Sequence, residues 1–136
     1  MISERIEKIR QDLEFFEEDI DKYEYIVDLG RRLNILEDEL KDDSLLIHGC
    51  TSKVWLLPSL VDGKIIIKAD SNSVIVKGLV SILVYIFSGI EPLDIINFNV
   101  KDLEVLNLTE IISPTRQNGL FHMINRILEY AALWRL

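Results

Sequence analysis

The chain has 136 residues, the size of one ordinary domain and enough to bury a core unaided. With 49% hydrophobic and 28% charged residues, composition excludes intrinsic disorder. The 23 acidic and 15 basic residues leave a net charge of −8, which argues against nucleic acid and anionic membrane as partners. A single cysteine, Cys50, excludes an internal disulfide, a cysteine-built zinc site and a self-contained redox pair.

The acidity is concentrated. Residues 1–43 hold 15 Asp/Glu and 7 Lys/Arg, whereas residues 44–136 hold 8 of each, so the net charge belongs to the first third. Acidic outer faces of solvated helices explain this most simply; a negative surface that steers a basic partner is the functional reading. The start, Met1 to Ile6, is too charged for a signal peptide and too acidic for a transit peptide. The longest uncharged apolar run, Gly78 to Ile90, spans 13 residues and is too short to cross a bilayer. A soluble, cytoplasmic protein is the expectation.

In chain order, Ile2, Ile6, Ile9, Leu13 and Phe16 alternate at spacings of four and three and predict an amphipathic helix, with Ser3 as its cap. A second helix is predicted from Asp21, with Glu24 completing a capping box and Gly30 as a left-handed stop. Arg31 to Asp43 reads as a charged loop with one short helical turn. Ser44–His48, Lys53–Leu57 and Lys64–Ala69 then read as three antiparallel strands, the last two joined near Asp62-Gly63, a strong hairpin signal. Pro58 limits the regularity of the middle strand. Cys50 falls in the connection between the first two, and Gly49 supplies the backbone angle it needs.

Ser71 or Ser73 caps a buried helix over Val74–Phe87, and Pro92 opens a short helix over Leu93–Ile96. After a polar stretch, the last helix is predicted over Gln117–Leu133, with Leu120, Met123, Ile124, Ile127, Leu128 and Ala131 on one face. The expected architecture is a single α+β domain over residues 1–136: a small three-stranded antiparallel sheet with helices packed on one face.

Cys50 is the leading chemical candidate. A lone cysteine more often fills a core as a small apolar residue, but this one lies in a turn, after a glycine and before Thr51, Ser52 and Lys53. Lys53 and the turn amides favour a thiolate there. His48, two residues earlier, shares a face with Cys50 if the segment is extended, which opens a nucleophile–base reading; a strand histidine with no chemical role is the simpler one. His122 falls near the apolar stripe of the last helix and reads as structural, as Trp55 and Tyr85 read as core. Two histidines and one cysteine without ligand spacing do not make a metal site, and no motif asks for a cofactor. On spacing alone, Asp70 helps cap the following helix and Arg116 is a surface charge.

Four segments together carry a family resemblance. Tyr23–Gly30, His48–Trp55, Ala69–Ser73 with Ile75–Leu79, and Ser113–Leu120 resemble, in order, the tyrosine-rich helix, cysteine loop, strand-to-helix motif and closing motif of the SufE sulfur-acceptor family and its paralogue CsdE. Thr51 and Lys53 stand where that family often has glutamine, and Glu91 stands before Pro92 in place of a usual threonine. The resemblance implies an IscU-like α+β fold and a non-enzymatic role as a sulfur acceptor. Cys50 would take persulfide sulfur from a SufS/CsdA-like cysteine desulfurase, stimulate that enzyme and relay the sulfur to a SufBCD-type scaffold for iron–sulfur cluster assembly. It implies a sheltered Cys50 loop that a partner draws outward, and supporting or partner-binding roles for Gly49, His48, Asp70 and Arg116. One thiol suits such a relay, because a second nearby would close a disulfide and expel the carried sulfur. The competing class is a non-catalytic interaction module that regulates a partner enzyme.

Overall fold

The computed structural model describes residues 1–33 and 35–135. Its elements in order are helix α1 (Ile2–Glu14), helix α2 (Asp19–Arg31), strand β1 (Val54–Val61), strand β2 (Lys64–Ser71), helix α3 (Val74–Phe87), helix α4 (Pro92–Ile96) and helix α5 (Pro114–Leu133), with short 3-10 turns between α2 and β1 and between α4 and α5. The mixed helix-and-sheet class is as expected, but the sheet has two strands, not three. Where the first strand was expected, Asp42 accepts a hydrogen bond from the Ser44 N–H and closes a 3-10 turn over Asp43–Leu45. Only an isolated bridge, Leu46 to Trp55, and one bond from the Ile47 N–H to the Val54 carbonyl (2.9 Å) remain of it. A short polar side chain captured the backbone before a ladder formed.

β1 and β2 form a hairpin turning on Asp62 (φ 51°) and Gly63 (φ 77°), the paired left-handed conformation of a two-residue hairpin turn. Val54, Leu56 and Pro58 on β1 and Ile65, Ile67 and Ala69 on β2 are buried on one face. Pro58 is opposite Ile67, whose N–H turns away from β1 to the Ser88 hydroxyl at 3.0 Å. The two therefore form a non-hydrogen-bonded pair, and the missing proline N–H lies on the outer edge, where it interrupts no ladder bond.

α3 packs on this face and is the centre of the core: Leu79, Val80, Ile82, Leu83, Ile86 and Phe87 are at most 2% exposed. α2 crosses it at two glycines. A Cβ on Gly30 would lie 2.8 Å from the Gly78 nitrogen, and one on Gly78 would strike the Ile26 carbonyl. Gly30 is thus a contact residue inside α2, not the left-handed stop expected there; the helix runs on to Arg31. Other helix starts also shift. α1 begins at Ile2, so Ser3 lies inside it; α2 begins at Asp19, ahead of the expected Asp21–Glu24 box; α5 begins at Pro114, capped by Ser113. Ser73 caps α3 as expected, and Tyr85, expected in the core, is 45% exposed. Among the described residues no helix is long and apolar enough to cross a membrane.

Candidate functional site

The cysteine loop, residues 48–53, is fixed at both ends by backbone. Before it, Ile47 bonds to Val54. After it, Lys53 donates its N–H to the Asn72 side-chain oxygen (3.0 Å), while its carbonyl accepts from the Ser71 hydroxyl (2.8 Å) and the Asn72 N–H (3.2 Å). The end of β2 therefore clamps the loop through groups that match in chemistry and position.

Between these anchors Gly49 takes φ +89°, the left-handed conformation expected of it. Cys50 then rests on α5. Its sulfur lies 3.7 Å from the Gly119 carbonyl, in reach of a long S–H···O contact, and a Cβ on Gly119 would come within 3.2 Å of the sulfur. Gly119 makes room for the thiol in the middle of a helix, where glycine otherwise costs about 1 kcal/mol relative to alanine. Thr51, Ser52, Val76, Thr115, Arg116 and Met123 complete a recess of about 10 Å³ around it, the space of roughly one water.

Half-burial pushes the Cys50 thiol up from its ordinary value, through desolvation of the thiolate. The rest state is thus a sheltered, protonated thiol. The expectation that Lys53 favours the thiolate is not met in this arrangement: the Lys53 side chain is exposed, and desolvation is the cause of the shift.

The other sequence candidates divide. Arg116, in the first turn of α5, lines the recess, and among the described residues its guanidinium makes no ion pair. His48 is exposed and makes no hydrogen bond to Cys50, so the nucleophile–base pairing is not formed. Asp70 is 7% exposed and does not line the recess. It accepts from Lys41 (2.7 Å), Lys77 (3.2 Å) and the Ser71 N–H (2.8 Å). Burial alone would raise its carboxyl, but these partners together hold it below the ordinary carboxylate value. Lys41 also sits 4.9 Å above the Trp55 ring, which is half-buried beneath it. Asp70 reaches the cysteine loop only through Ser71, which holds the carboxylate by its N–H and Lys53 by its hydroxyl.

Sequence reasoning missed the part played by four residues. Gly119 carried a usable signal, a glycine inside a helical pattern, which marks close approach. Asn72 and Ser71 lay in a quoted motif but gave no sign of what they hold. His122 reads from spacing as a structural residue near the apolar stripe of α5; it is exposed, and its ring lies over Gly49, where any Cβ would collide with it. No group of three or more His, Cys, Asp or Glu converges as a metal site among the described residues.

The solution structure of a hypothetical protein from Thermus thermophilus has the same fold, with a TM-score of 0.78 over 96% of this chain and 95% of that one, at 12% identity. A family model described as "SufE: Fe-S metabolism associated domain" matches residues 7–131, which span the cysteine loop, its anchors on β2 and the α5 wall. The chain belongs to the SufE family.

Proposed function

We propose that the chain is an accessory persulfide carrier, not an enzyme, that accepts sulfur from a cysteine desulfurase on Cys50, stimulates the desulfurase and passes the sulfur to a SufBCD-type scaffold. The observation that carries this reading is the setting of Cys50: the sole thiol of a SufE-family chain, sheltered on a loop anchored at both ends.

In the transfer, the Cys50 thiol gives up its proton and its thiolate attacks the outer sulfur of the donor's persulfide. A new S–S bond forms on Cys50, the donor's S–S bond breaks, and the donor leaves as a thiolate. The recess favours the step that precedes this one. It holds room for about one water, and a sulfur atom is larger than a water oxygen, so a second sulfur on Cys50 gains space as the residue leaves the Gly119 wall. Outward movement also restores water to the sulfur and removes the burial that disfavours the thiolate. A partner that draws the loop out therefore activates the nucleophile and makes room for its cargo together. At rest, shelter slows oxidation of the idle thiol.

Incubation with a cysteine desulfurase, cysteine and pyridoxal phosphate, followed by intact-mass measurement, tests the reading. The expected result is a gain of one sulfur atom that Cys50→Ser abolishes. No gain, with stimulation retained by Cys50→Ser, would instead establish an interaction module that regulates its partner without carrying sulfur.

A further inference from the structure

The thiol-bearing side of the loop meets α5 at two successive turns. Cys50 lies on Gly119, and Gly49 lies under the ring of His122, three residues further along the helix. Residues three apart share a helix face, so the glycine and the cysteine are received by one continuous strip of α5. Gly49 has no side chain, and the imidazole occupies the place one would take, within 2.5 Å of the Cβ position at its Cδ2. His122 is itself exposed, with its ring edge-on to the equally exposed Phe121 (centroids 6.2 Å apart, planes at 70°). An exposed ring laid across a loop glycine lies outside the buried core, and its packing on Gly49 is directed at the loop.

We propose that His122 is a positioning residue of the sulfur-accepting site, whose ring clasps Gly49 and holds the Cys50 loop closed on α5 until a donor displaces it. The proposal rests on the persulfide-carrier reading for its purpose, but the clasp itself is a property of the free chain. Closure is a local opening equilibrium, and removing one side-chain contact shifts it toward the open form. Only the open form presents Cys50 to a donor, so the same shift lowers the concentration of this chain needed for half-maximal stimulation of a desulfurase, by the factor by which the open fraction rises.

The test is the rate at which iodoacetamide alkylates Cys50 in the intact chain and in His122→Ala and His122→Phe, followed by mass. His122→Ala is expected to react faster by about threefold or more, with an unchanged thermal midpoint. His122→Phe, which keeps a flat ring on Gly49, is expected to stay near the parent rate. A parent-like rate in His122→Ala overturns the clasp, as does a His122→Phe rate equal to that of His122→Ala. A rate increase that merely follows a lowered thermal midpoint, reproduced by Phe121→Ala, overturns it as well. The desulfurase arm separates the two proposals. If His122→Ala alkylates faster but no sulfur reaches Cys50 in the parent chain, the carrier reading fails and the clasp stands. If sulfur arrives and alkylation is unaltered, the clasp alone fails.

Discussion

At the scale of single residues, the behaviour of Cys50 is set by where its sulfur sits. Burial against Gly119 disfavours the thiolate, so the thiol titrates above its ordinary value. The pH dependence of alkylation in the free chain is therefore expected to have its midpoint above about 8.5, the ordinary cysteine value, and to return to it when the chain is unfolded in urea. The sign for loop closure follows by linkage. The closed state binds its proton more tightly than the open one, so its advantage is complete below the ordinary cysteine value and is lost as pH rises through the shifted one. The sequence located this residue: a lone cysteine, after a glycine, in a turn. It gave no access to its protonation, because Gly119 and Met123 lie about seventy residues away in the chain and reach the sulfur only through folding.

At the scale of elements, hydrophobic periodicity was legible, and end signals were legible at Ser73 and Pro92 but not at the ends of α2. The stripes of α1 and α5 bury as their spacing predicts, with Ile6, Ile9, Leu13, Met123, Ile127 and Ala131 all inside. The Gly30 stop failed because tertiary contact, not local chemistry, fixes that part of α2, whereas the Asp21–Glu24 box failed at an exposed end, where the helix starts at Asp19 without a side-chain cap. Gly30 is needed where α2 crosses α3, and there two backbones approach without intervening side chains. Gly78→Ala is accordingly expected to destabilise by about 3 kcal/mol through backbone collision, lowering the thermal midpoint by roughly 10 °C. Gly63→Ala is the contrast: nothing lies within 4 Å of its Cβ position, and only the left-handed turn conformation resists it, at about 1 kcal/mol. Calorimetry on the two variants distinguishes packing from conformation. The missing third strand is a further local effect, since Ser44–His48 has strand composition but Asp42 closes a turn at its start.

At the scale of the molecule, Asp70 ties distant segments together. Lys41 comes from the turn region before the cysteine loop, Lys77 from α3, and Ser71 passes the restraint to Lys53. Asp70→Asn is expected to lower stability at neutral pH by about 2 kcal/mol, because two ammonium groups lose their common partner. Since the Asp70 carboxyl is held below its ordinary value, its contribution is complete above about pH 3.9 and is lost as pH falls through the lower, folded value. Urea unfolding at neutral pH and well below about pH 3.9 should show the variant and parent converging only as the pH passes the lower, folded value. The sequence by itself determined the family, through four motifs in order, together with the α+β class, the hairpin and the identity of the one available thiol. These are recorded in local pattern and residue type, which a linear chain displays directly. Tertiary structure alone decided that Gly119 shelters the thiol, that Asp70 acts on the loop through Ser71 and that His122 lies over Gly49. Each of these joins segments far apart in sequence, and only packing of β2, α3 and α5 around one core brings them within contact distance.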